Sequence, residues 1–456
     1  MGGAAHASGG GHGHDQHNGH GNGGHGHGGH GHGPAIVRHR DPGNRVVIVG
    51  GGVVGSACAY YLRQAGKEVT IVERAQFGRG ASHANCGYVS PSHVLPLNKP
   101  GAIQKTLKSM FDRTSAFYLK PRIDFSLFGW MMRFASKCNK KDMIEAGHAL
   151  NPILQSSAEL YKELLASELQ ETEHEAKGML FVFKTEKMLA EYDAVDALLR
   201  EHFGVGARRI GGDELHRMEP ALQPGLAGAY FYDIDSHLRP DRLMGAWRRT
   251  LESHGVTILE NRPVKQIRKE NGSARAIVTD QGEIEGDTFI FAMGAWTPKL
   301  STELGCAIPV QPGKGYSITM ARPEPCPAYP MILEEYHVAV TPFASGYRLG
   351  STMEFAGYND KLNRGRLDML RRGAKEYLVA PTAEPVQEEW FGWRPMCADS
   401  VPIIGRTPGL DNTYLATGHS MLGVTLAPAT GKLVSELVLG EKPHIDPEPY
   451  RVTRFG

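Results

Sequence analysis

A glycine-rich turn between two apolar runs constrains the fold of this 456-residue chain more than any other feature. The stretch begins at Asn44 and reads NRVVIVGGGVVGSACAYYLRQAGKEVTIVERA. Val46–Val49 is short and wholly apolar, which is typical of a buried parallel strand. We predict that a helix follows from Val53 to about Gln64 and that a second strand spans Val69–Val72. The stretch is therefore predicted to be a βαβ unit of about 30 residues.

The spacing Gly50-x-Gly52-x-x-Gly55 indicates that this unit binds a pyrophosphate. Gly50 allows a tight turn, Gly52 lets the pyrophosphate approach the backbone, and Gly55 lets helix and strand pack closely. The anion would rest on the positive N-terminus of the helix. Glu73, at the end of the second strand, can accept hydrogen bonds from a ribose diol and disfavours a 2′-phosphate. A glycine-rich turn of an unrelated α/β protein is the alternative, and the strand–turn–helix context argues against it.

Amphipathic patterns predict helices in the next part of the chain. They lie near residues 126–138, 150–171 and 187–203, and a strand pair is predicted near GMLFVFKT. Residues 228–300 return to a pattern of helices and strands, which ends in a hairpin that leads into a further strand.

The remaining chain predicts a second kind of architecture. Residues 308–395 alternate between apolar and polar side chains, as an antiparallel sheet does. A strand at Thr413–Ala416 and a helix from about Ala427 to Leu439 follow. We therefore predict an α/β fold of two domains, in which a Rossmann-like dinucleotide-binding domain is joined to a second domain built on a large antiparallel sheet.

The charge balance and the cysteine pattern exclude several classes of protein. The formal net charge of +1 gives no support for a nucleic-acid partner. The six cysteines are widely spaced and form no CxxC pair, which favours free thiols in a reducing compartment. No apolar run reaches the roughly 18 residues of a membrane span. We expect a cytoplasmic protein, and peripheral contact with the inner face of a membrane is compatible with that expectation.

Residues 1–44 form a low-complexity segment of glycine and histidine. Its near lack of apolar residues predicts disorder, because little burial would offset the entropy cost of ordering it. Alternating histidines such as His12, His14, His25 and His27 can chelate divalent metals. A solvated tail or a purification segment is the alternative, because a compositional signal lacks fixed geometry. We assign no metal site to the chain.

Four further motifs give the chain a resemblance to a known family. ASHANCG at Ala81–Gly87 follows Glu73 closely, and AMGAW, WFGWRPMCADSVPIIG and GHSMLGVTLAPATG occur later. Together with the glycine motif they resemble the FAD-dependent amino-acid oxidase and dehydrogenase superfamily, which includes D-amino-acid oxidase, glycine oxidase and sarcosine oxidase. The ASHANCG motif resembles most that of the bacterial D-amino-acid dehydrogenases. The resemblance covers roughly residues 45–445.

The resemblance implies a non-covalent FAD cofactor and a set of residues that hold it. For the ADP half, these are Gly50, Gly52, Val53, Val54, Gly55, Glu73 and Arg74, with Val264 as a backbone contact to adenine and Ala292 and Gly294 as a turn near the pyrophosphate. For the middle of the cofactor they are Ser82 and Asn85. At the pyrimidine end of the flavin they are Gly418, Gly423, Val424 and Thr425, where a helix dipole would stabilise negative charge.

The resemblance also implies a substrate site around Arg394. This arginine matches the one that binds the substrate carboxylate in glycine oxidase, and a planar guanidinium suits that partner. The alternative is an arginine that forms a salt bridge within the fold. Tyr336, on a predicted strand, would lie over the substrate, although a core tyrosine fits as well. His419 would lie next to the flavin, or else satisfy a backbone group. We expect Arg348 on a strand surface.

Two residues near this site bear on the expected activity and on whether FAD is attached covalently. Met421 stands where glycine oxidase has a second arginine, so the pocket is less polar and a glycine-oxidase activity is doubtful. Cys397 lies two residues before Asp399, whereas the cysteine that tethers FAD in sarcosine oxidases lies well upstream of that aspartate. We therefore predict that Cys397 is a small packing residue.

These features lead to a functional hypothesis. The chain is expected to oxidise a D-amino acid by hydride transfer to FAD, giving a 2-oxo acid and ammonia, and to pass the electrons to an acceptor such as a quinone. Oxidation of glycine, sarcosine, D-proline or D-hydroxyproline is the nearest alternative. A metal-binding protein that uses the histidine-rich segment, and an FAD-dependent tRNA-modifying or assembly protein, are alternatives from other classes. The predicted FAD-binding ranges are 45–100, 205–300 and 396–445, and the predicted substrate-binding ranges are 101–204 and 301–395.

Overall fold

The computed structural model describes residues 43–101, 117–120 and 122–456 of the chain. The histidines of the predicted tail lie outside these ranges. Within the ranges, the apolar runs form two large sheets that are joined by helices, which gives the predicted α/β fold. No helix of this part of the chain is long and apolar enough to cross a membrane.

The predicted βαβ unit forms the centre of the first sheet. It consists of β1 (Arg45–Val49), α1 (Val53–Gln64) and β2 (Glu68–Val72). The sheet is completed by β9 (Thr257–Leu259), β13 (Thr288–Phe291), β19 (Ile403–Arg406) and β20 (Thr413–Thr417), in the order β19-β20-β13-β1-β2-β9. β1 lies between β2 and β13 and runs parallel to both. Its apolar run follows from this position, because both faces of a central parallel strand are covered.

The last long helix, α9 (Gly423–Leu439), packs against α1 beside this sheet. The two helices approach closely at Gly431, where a Cβ atom would lie 2.5 Å from the carbonyl carbon of Ala57. The sequence places the start of this helix near Ala427, and the structure begins it four residues earlier, at Gly423. The first turn of α9 thereby reaches the ends of the parallel strands, where the candidate site lies.

The second sheet contains nine strands within the described ranges. They are β4 (Phe117–Leu119), β5 (Met179–Phe183), β6 (Arg208–Gly211), β7 (Gly228–Tyr232), β14 (Val310–Met320), β15 (Met331–Leu333), β16 (Val338–Phe343), β17 (Gly346–Phe355) and β18 (Val386–Cys397). The order is β18-β14-β17-β16-β15-β5-β7-β6, with β4 paired to β17. The pairing is mainly antiparallel, as predicted, except that β5 runs parallel to β15 and β4 to β17.

Shorter elements complete the described part of the chain. The small strands are β3 (Tyr88–Val89), β8 (Ser236–His237), β10 (Gln266–Glu270), β11 (Ser273–Thr279) and β12 (Gly282–Glu285). The other helices are α2 (Phe125–Ser136), α3 (Lys140–Ser167), α4 (Glu186–Phe203), α5 (Gly212–Met218), α6 (Pro240–Ser253), α7 (Ser301–Leu304) and α8 (Arg364–Lys375). Short 3-10 turns span Gly294–Leu300, Glu448–Tyr450 and Val452–Phe455.

Some predicted boundaries differ from the structure. α3 begins about ten residues earlier than predicted, because the Asn139 side chain accepts a hydrogen bond from the Asp142 amide and caps the helix there. The segment GMLFVFKT contains the single strand β5, whose antiparallel partner β7 comes from later in the chain. β6 and β7 fall inside the range 205–300, yet they pair in the nine-stranded sheet.

Candidate functional site

A cleft opens at the carboxyl ends of β1, β2 and β13. The glycine turn follows β1, Glu73 follows β2, and Ala292 follows β13, so three neighbouring parallel strands contribute to one edge. Ligands of open α/β sheets bind at this edge. The cleft continues past the first turn of α9 to Arg394 on β18, and it therefore joins the two sheets.

Most of the predicted site residues lie together along this cleft. They are Gly50, Gly52, Val53, Val54, Glu73, Arg74, Ser82, Asn85, Val264, Ala292, Gly294, Gly423, Val424, Arg394 and His419. Gly55, Gly418 and Thr425 do not line it, but each belongs to a segment that shapes it. Thr425 is the clearest case, since its hydroxyl donates to the Tyr88 carbonyl and accepts from the Ser90 amide, at 3.0 and 3.3 Å.

The three motif glycines have different structural requirements. Gly50 has a φ of +118°, and a Cβ atom there would lie 2.4 Å from the Ala292 carbonyl oxygen. At Gly55 a Cβ atom would lie 2.0 Å from the Gly50 carbonyl oxygen, so the helix could not approach the strand. At Gly52 a Cβ atom would meet only the Ser82 hydroxyl, at 3.2 Å. Gly55 is thus required by packing, whereas Gly52 leaves space on the cleft side.

Charged groups line the end of the cleft next to β2. The two carboxylate oxygens of Glu73 accept hydrogen bonds from the Gly51 and Ala75 amides, at 2.8 and 3.0 Å, which fixes the side chain beside the glycine turn. The Arg74 guanidinium lies 3.6 Å from the ring centre of Trp296, a close cation–π contact. Burial lowers the pKa of Arg74. At this end of the cleft, Glu73 thus offers a hydrogen-bond acceptor for a ribose diol, and Arg74 offers a planar cation for an aromatic ring or a phosphate.

Ser82 and Asn85 organise the polar segment that follows. The Ser82 hydroxyl accepts a hydrogen bond of 3.0 Å from the Val53 amide and so caps the N-terminus of α1 from outside the helix. Asn85 accepts from the Gly87 amide at 2.8 Å and donates to the Ala81 and Ser82 carbonyls, at 3.3 and 3.2 Å. These bonds hold the segment along the cleft, as the central part of an extended cofactor requires.

Arg394 lies on β18, opposite Gly313 of β14. Its Nη1 donates to the Thr352 carbonyl at 2.9 Å, and the guanidinium packs on Gly315, where a Cβ atom would lie 2.2 Å from Nη1. Burial lowers the pKa of Arg394, and in residues 43–101, 117–120 and 122–456 no carboxylate forms an ion pair with it. A guanidinium that is partly removed from water, with no acidic partner in these ranges, is suited to receive one from a ligand.

His419 and Met421 lie in the same part of the cleft. His419 is 2% exposed, and burial lowers its pKa to about 3, so its imidazole is neutral at physiological pH. Its Nε2 is 3.0 Å from the Thr430 hydroxyl, which fixes the ring. Met421 is 45% exposed and provides an apolar surface.

Two expectations from the sequence need correction. Tyr336 lies in the turn between β15 and β16, not on a strand, because the chain reverses there to pair the two strands antiparallel. Tyr336 is 42% exposed, its ring packs edge-on against Tyr377, and it does not line the cleft. Arg348 is 1% exposed and therefore does not lie on a surface. Its guanidinium is held inside the protein by hydrogen bonds of 2.8 Å to the Thr319 hydroxyl and to the Asn85 carbonyl.

The structure also adds residues that the sequence did not single out. Trp296 and Trp393 line the cleft and pack edge to face, with ring centres 5.1 Å apart. Both belong to motifs that were recognised, AMGAW and WFGWRP, but a tryptophan in such a motif does not show whether it faces a core or a cleft. Cys397 is fully buried, and its thiol donates a hydrogen bond of 3.2 Å to the Asp399 carboxylate. It does not line the cleft.

The residues present fit FAD. Beside the Val53 amide, which donates to the Ser82 hydroxyl, Gly52 leaves space at the N-terminus of α1 for a pyrophosphate. Glu73 provides the acceptor for the ribose. The N-terminus of α9, at Gly423, opens on the far part of the cleft, where its dipole would stabilise negative charge on the flavin. The cleft therefore offers suitable groups for both ends of the cofactor.

Solved structures of the same fold include several flavoenzymes and related proteins. Glycine oxidase from Geobacillus kaustophilus superposes with a TM-score of 0.73 at 22% identity, covering 90% of this chain and 99% of the other. L-proline dehydrogenase from P. horikoshii superposes with a TM-score of 0.66 at 21% identity, covering 90% of this chain and 97% of the other. These similarities establish the fold.

Sequence comparison establishes the family. The D-amino acid dehydrogenase of Methylobacterium nodulans is 33% identical over 423 residues, which cover 90% of this chain and 99% of that protein. That of Vibrio vulnificus (strain CMCP6) is 31% identical over 404 residues, or 87% of this chain and 96% of that protein. The sequence profile of the FAD dependent oxidoreductases, DAO, matches residues 45–437. The chain thus belongs to the family of FAD-dependent oxidoreductases, and FAD is its cofactor.

Proposed function

We propose that this chain oxidises D-amino acids to 2-oxo acids and ammonia and passes the electrons to an acceptor other than oxygen, such as a quinone. Arg394 carries the proposal, because its partly buried guanidinium faces the cofactor cleft and has no acidic partner among the residues that the structure describes. An α-amino acid supplies the missing carboxylate. The D configuration and the dehydrogenase activity are supported by the relatives, which are named D-amino acid dehydrogenase.

The residues around Arg394 bind and orient the substrate. The guanidinium would bind the carboxylate and so hold the substrate in the part of the cleft next to the first turn of α9. FAD, when bound, would supply the hydride acceptor for the oxidation. His419 is neutral near pH 7. Among the described residues that line the cleft, Glu73 alone carries a carboxylate, and it lies at the opposite end of the cleft from Arg394. The amine therefore loses its proton to solvent before oxidation, and water converts the imino acid into the oxo acid and ammonia.

The cleft walls favour substrates with uncharged side chains. Met421 and Trp393 contribute apolar surface near Arg394, and the second arginine of glycine oxidase is replaced by Met421. A charged substrate side chain would lose hydration against these groups without gaining an ion pair. We further propose that residues 45–100, 205–300 and 396–445 hold FAD and that 101–204 and 301–395 present the substrate.

We also propose that the protein contacts a bilayer surface through α2. Large apolar side chains project from this helix and from Ile123, two residues before it. Ile123, Phe125, Phe128 and Met132 are exposed by 92, 86, 64 and 57%. Exposed apolar groups clustered in this way mark an interaction surface. A bilayer fits because apolar side chains of an interfacial helix insert among the lipids, and a quinone acceptor is dissolved there.

The carboxylate assignment is tested with Arg394→Gln and Arg394→Lys. A lost charge-assisted contact should raise KM for D-amino acids about ten- to a hundredfold in Arg394→Gln, with a smaller rise for lysine, which keeps the charge without the fork. Binding of propionate, followed by the flavin absorbance spectrum, should weaken in parallel. Arg208→Gln, on the exposed strand β6, is the control and should change neither value. Unchanged KM in Arg394→Gln for every amino acid would refute the proposal.

A further inference from the structure

The segment Ala81–Gly87 contacts both the cofactor cleft and one face of the nine-stranded sheet. Its residues Ser82 and Asn85 line the cleft. Towards the sheet, a Cβ atom at Gly350 of β17 would lie 2.6 Å from the Cys86 sulfur. The segment is neither helix nor strand, so contacts with the rest of the molecule have to fix its conformation.

Three consecutive carbonyl groups of this segment, those of residues 84–86, accept hydrogen bonds from three neighbouring strands of the sheet. The pairs are Ser317 of β14 with Ala84, Arg348 of β17 with Asn85, and Thr341 of β16 with Cys86, at 2.7, 2.8 and 2.7 Å. Arg348 lies directly opposite Thr341, and Ser317 lies opposite Gly350, two residues further along β17. The three donors therefore project from one face of the sheet.

The fixed carbonyls set the direction of the amides in the same peptide units. In a trans peptide the N–H points away from the C=O. The Asn85 and Cys86 amides share their peptide units with the Ala84 and Asn85 carbonyls, so they point away from the sheet. Neither amide donates a hydrogen bond to a residue that the structure describes, whereas the Gly87 amide donates to the Asn85 side chain. Two amides are thus available to a ligand.

The Cys86 end of the segment lies near Arg394. Arg394 is on the same face of the sheet, since it lies opposite Gly313, four residues before Ser317 on β14. Burial raises the pKa of the Cys86 thiol, and the nearby Arg394 and Arg348 guanidiniums oppose that rise. A hydride acceptor has to lie next to the substrate, so a carboxylate held by Arg394 brings the redox-active ring of FAD to this end of the segment.

We propose that Arg348 is a positioning residue for the cofactor: with the Ser317 and Thr341 hydroxyls, its guanidinium keeps the Asn85 and Cys86 amides turned towards FAD. Amides that are fixed in advance need no reorganisation when negative charge develops on the reduced flavin. Arg348 also places a positive charge behind the peptide that joins Asn85 to Cys86. Both effects stabilise the reduced cofactor more than the oxidised one.

The first test compares Arg348→Met and Arg348→Lys in the FAD-loaded enzyme. Asp241, 3.5 Å from Arg348 Nη2, keeps its hydrogen bonds to Arg239 in both variants. Arg348→Met should weaken the binding of reduced FAD about tenfold more than that of oxidised FAD. The midpoint potential should therefore fall by about 30 mV, which corresponds to a tenfold change for a two-electron couple. Lysine keeps the charge and should restore most of the potential. Equilibration with a redox dye measures it.

A second variant removes one donor without removing a charge. Thr341→Val keeps the shape of the side chain, so FAD should bind about two- to tenfold more weakly and the potential should fall, but by less than in Arg348→Met. The matched control is Thr250→Val on α6. The Thr250 hydroxyl is also buried and donates to a carbonyl, that of Glu168 at 2.8 Å, outside the cleft. This control should lower Tm and leave FAD affinity and the potential unchanged.

A purely structural role of Arg348 would lower Tm and leave the potential of the retained flavin unchanged, and that result would overturn the inference. A fall in potential that Arg348→Lys does not reverse would also overturn it. If Arg348→Met does not fold, Thr341→Val decides, because an unchanged potential there refutes the inference and a lower one supports it.

The inference rests on the proposed function, which places the redox-active part of FAD beside Arg394. The potential is measured without substrate, so the two can fail separately. If Arg394→Gln leaves KM unchanged while Arg348→Met lowers the potential, the proposed function fails and the role of Arg348 stands. If Arg394→Gln raises KM while the potential stays unchanged in Arg348→Met, only the role of Arg348 fails.

Discussion

The hydroxyl of Tyr161 on α3 donates a hydrogen bond of 2.7 Å to the Val424 carbonyl in the first turn of α9. Pro428 lies four residues after Val424 and has no amide hydrogen to offer this carbonyl. The tyrosine therefore replaces the helical bond that proline removes. This contact lets α9 begin at Gly423 and place its N-terminus at the cleft.

Removing this hydroxyl should loosen the start of α9. In Tyr161→Phe the Val424 carbonyl is left buried without a donor, so the free energy of unfolding should fall by about 1–3 kcal/mol. Urea denaturation of the FAD-loaded protein measures this change. Tyr336→Phe, in an exposed turn, is the control and should alter neither stability nor kcat/KM. A Tyr161→Phe protein as stable as the wild type would contradict the role of the hydroxyl.

Alanine at two motif glycines should have contrasting effects. Gly52→Ala should fold normally but bind FAD at least about tenfold more weakly, because its Cβ projects into the space for the pyrophosphate. Gly55→Ala should lose about 1–3 kcal/mol of stability or more, because its Cβ collides with the Gly50 carbonyl. FAD retained after gel filtration and thermal unfolding of the apo-protein separate the two effects. Equal effects of both variants on apo stability would be inconsistent with this geometry.

Asp235 should make stability depend on pH. It is 1% exposed, and burial raises its pKa to about 7, although hydrogen bonds from Ser92 oppose this. Above an unfolded-state pKa of about 4, the unfolded chain releases this proton while the folded protein retains it until about pH 7. The stabilising contribution of Asp235 is therefore complete at low pH and is lost as the pH rises through 7.

Asp235→Asn should remove this dependence. Relative to the wild type, its free energy of unfolding should rise between pH 4 and pH 8 by an amount on the order of 4 kcal/mol. Denaturation of both proteins at several pH values measures the difference. A difference between the two proteins that stays constant across this pH range would show that the Asp235 carboxyl does not titrate as described.

The α2 surface should bind membranes. Vesicles that contain anionic lipids should sediment the wild type and retain much less of the double variant Phe125→Ser/Phe128→Ser, because two exposed rings are lost. Val379→Ser is a matched control, since Val379 is also apolar and is 53% exposed outside this surface. Equal sedimentation of the double variant and the wild type would exclude α2 as the contact.

The part of the site that depends on local sequence was predictable. The glycine turn, the first helix and Glu73 follow one another within one βαβ unit, so spacing alone places them at one edge of a sheet. The cofactor residues after β13 and at the start of α9 were found through motifs, which the family resemblance made recognisable.

The rest depends on contacts between distant segments. The start of α9 was predicted too late, because the carbonyl freed by Pro428 is satisfied by Tyr161, more than 250 residues earlier. Arg348 and Tyr336 were misplaced, since alternation along a strand does not show which face is covered or where the chain turns. The hydrogen bonds that fix the carbonyls of residues 84–86 come from strands more than 200 residues later, and no local pattern predicts them.

The central claim is tested most directly by turnover of paired D- and L-amino acids by the FAD-loaded enzyme with an artificial electron acceptor. Reduction of the acceptor, 2-oxo acid and ammonia should appear in equal amounts with D-amino acids that carry uncharged side chains. L-amino acids should give none of these products, and hydrogen peroxide should not form in air. Turnover confined to L-amino acids or to glycine and sarcosine, or peroxide formed in step with oxo acid, would contradict the proposed function.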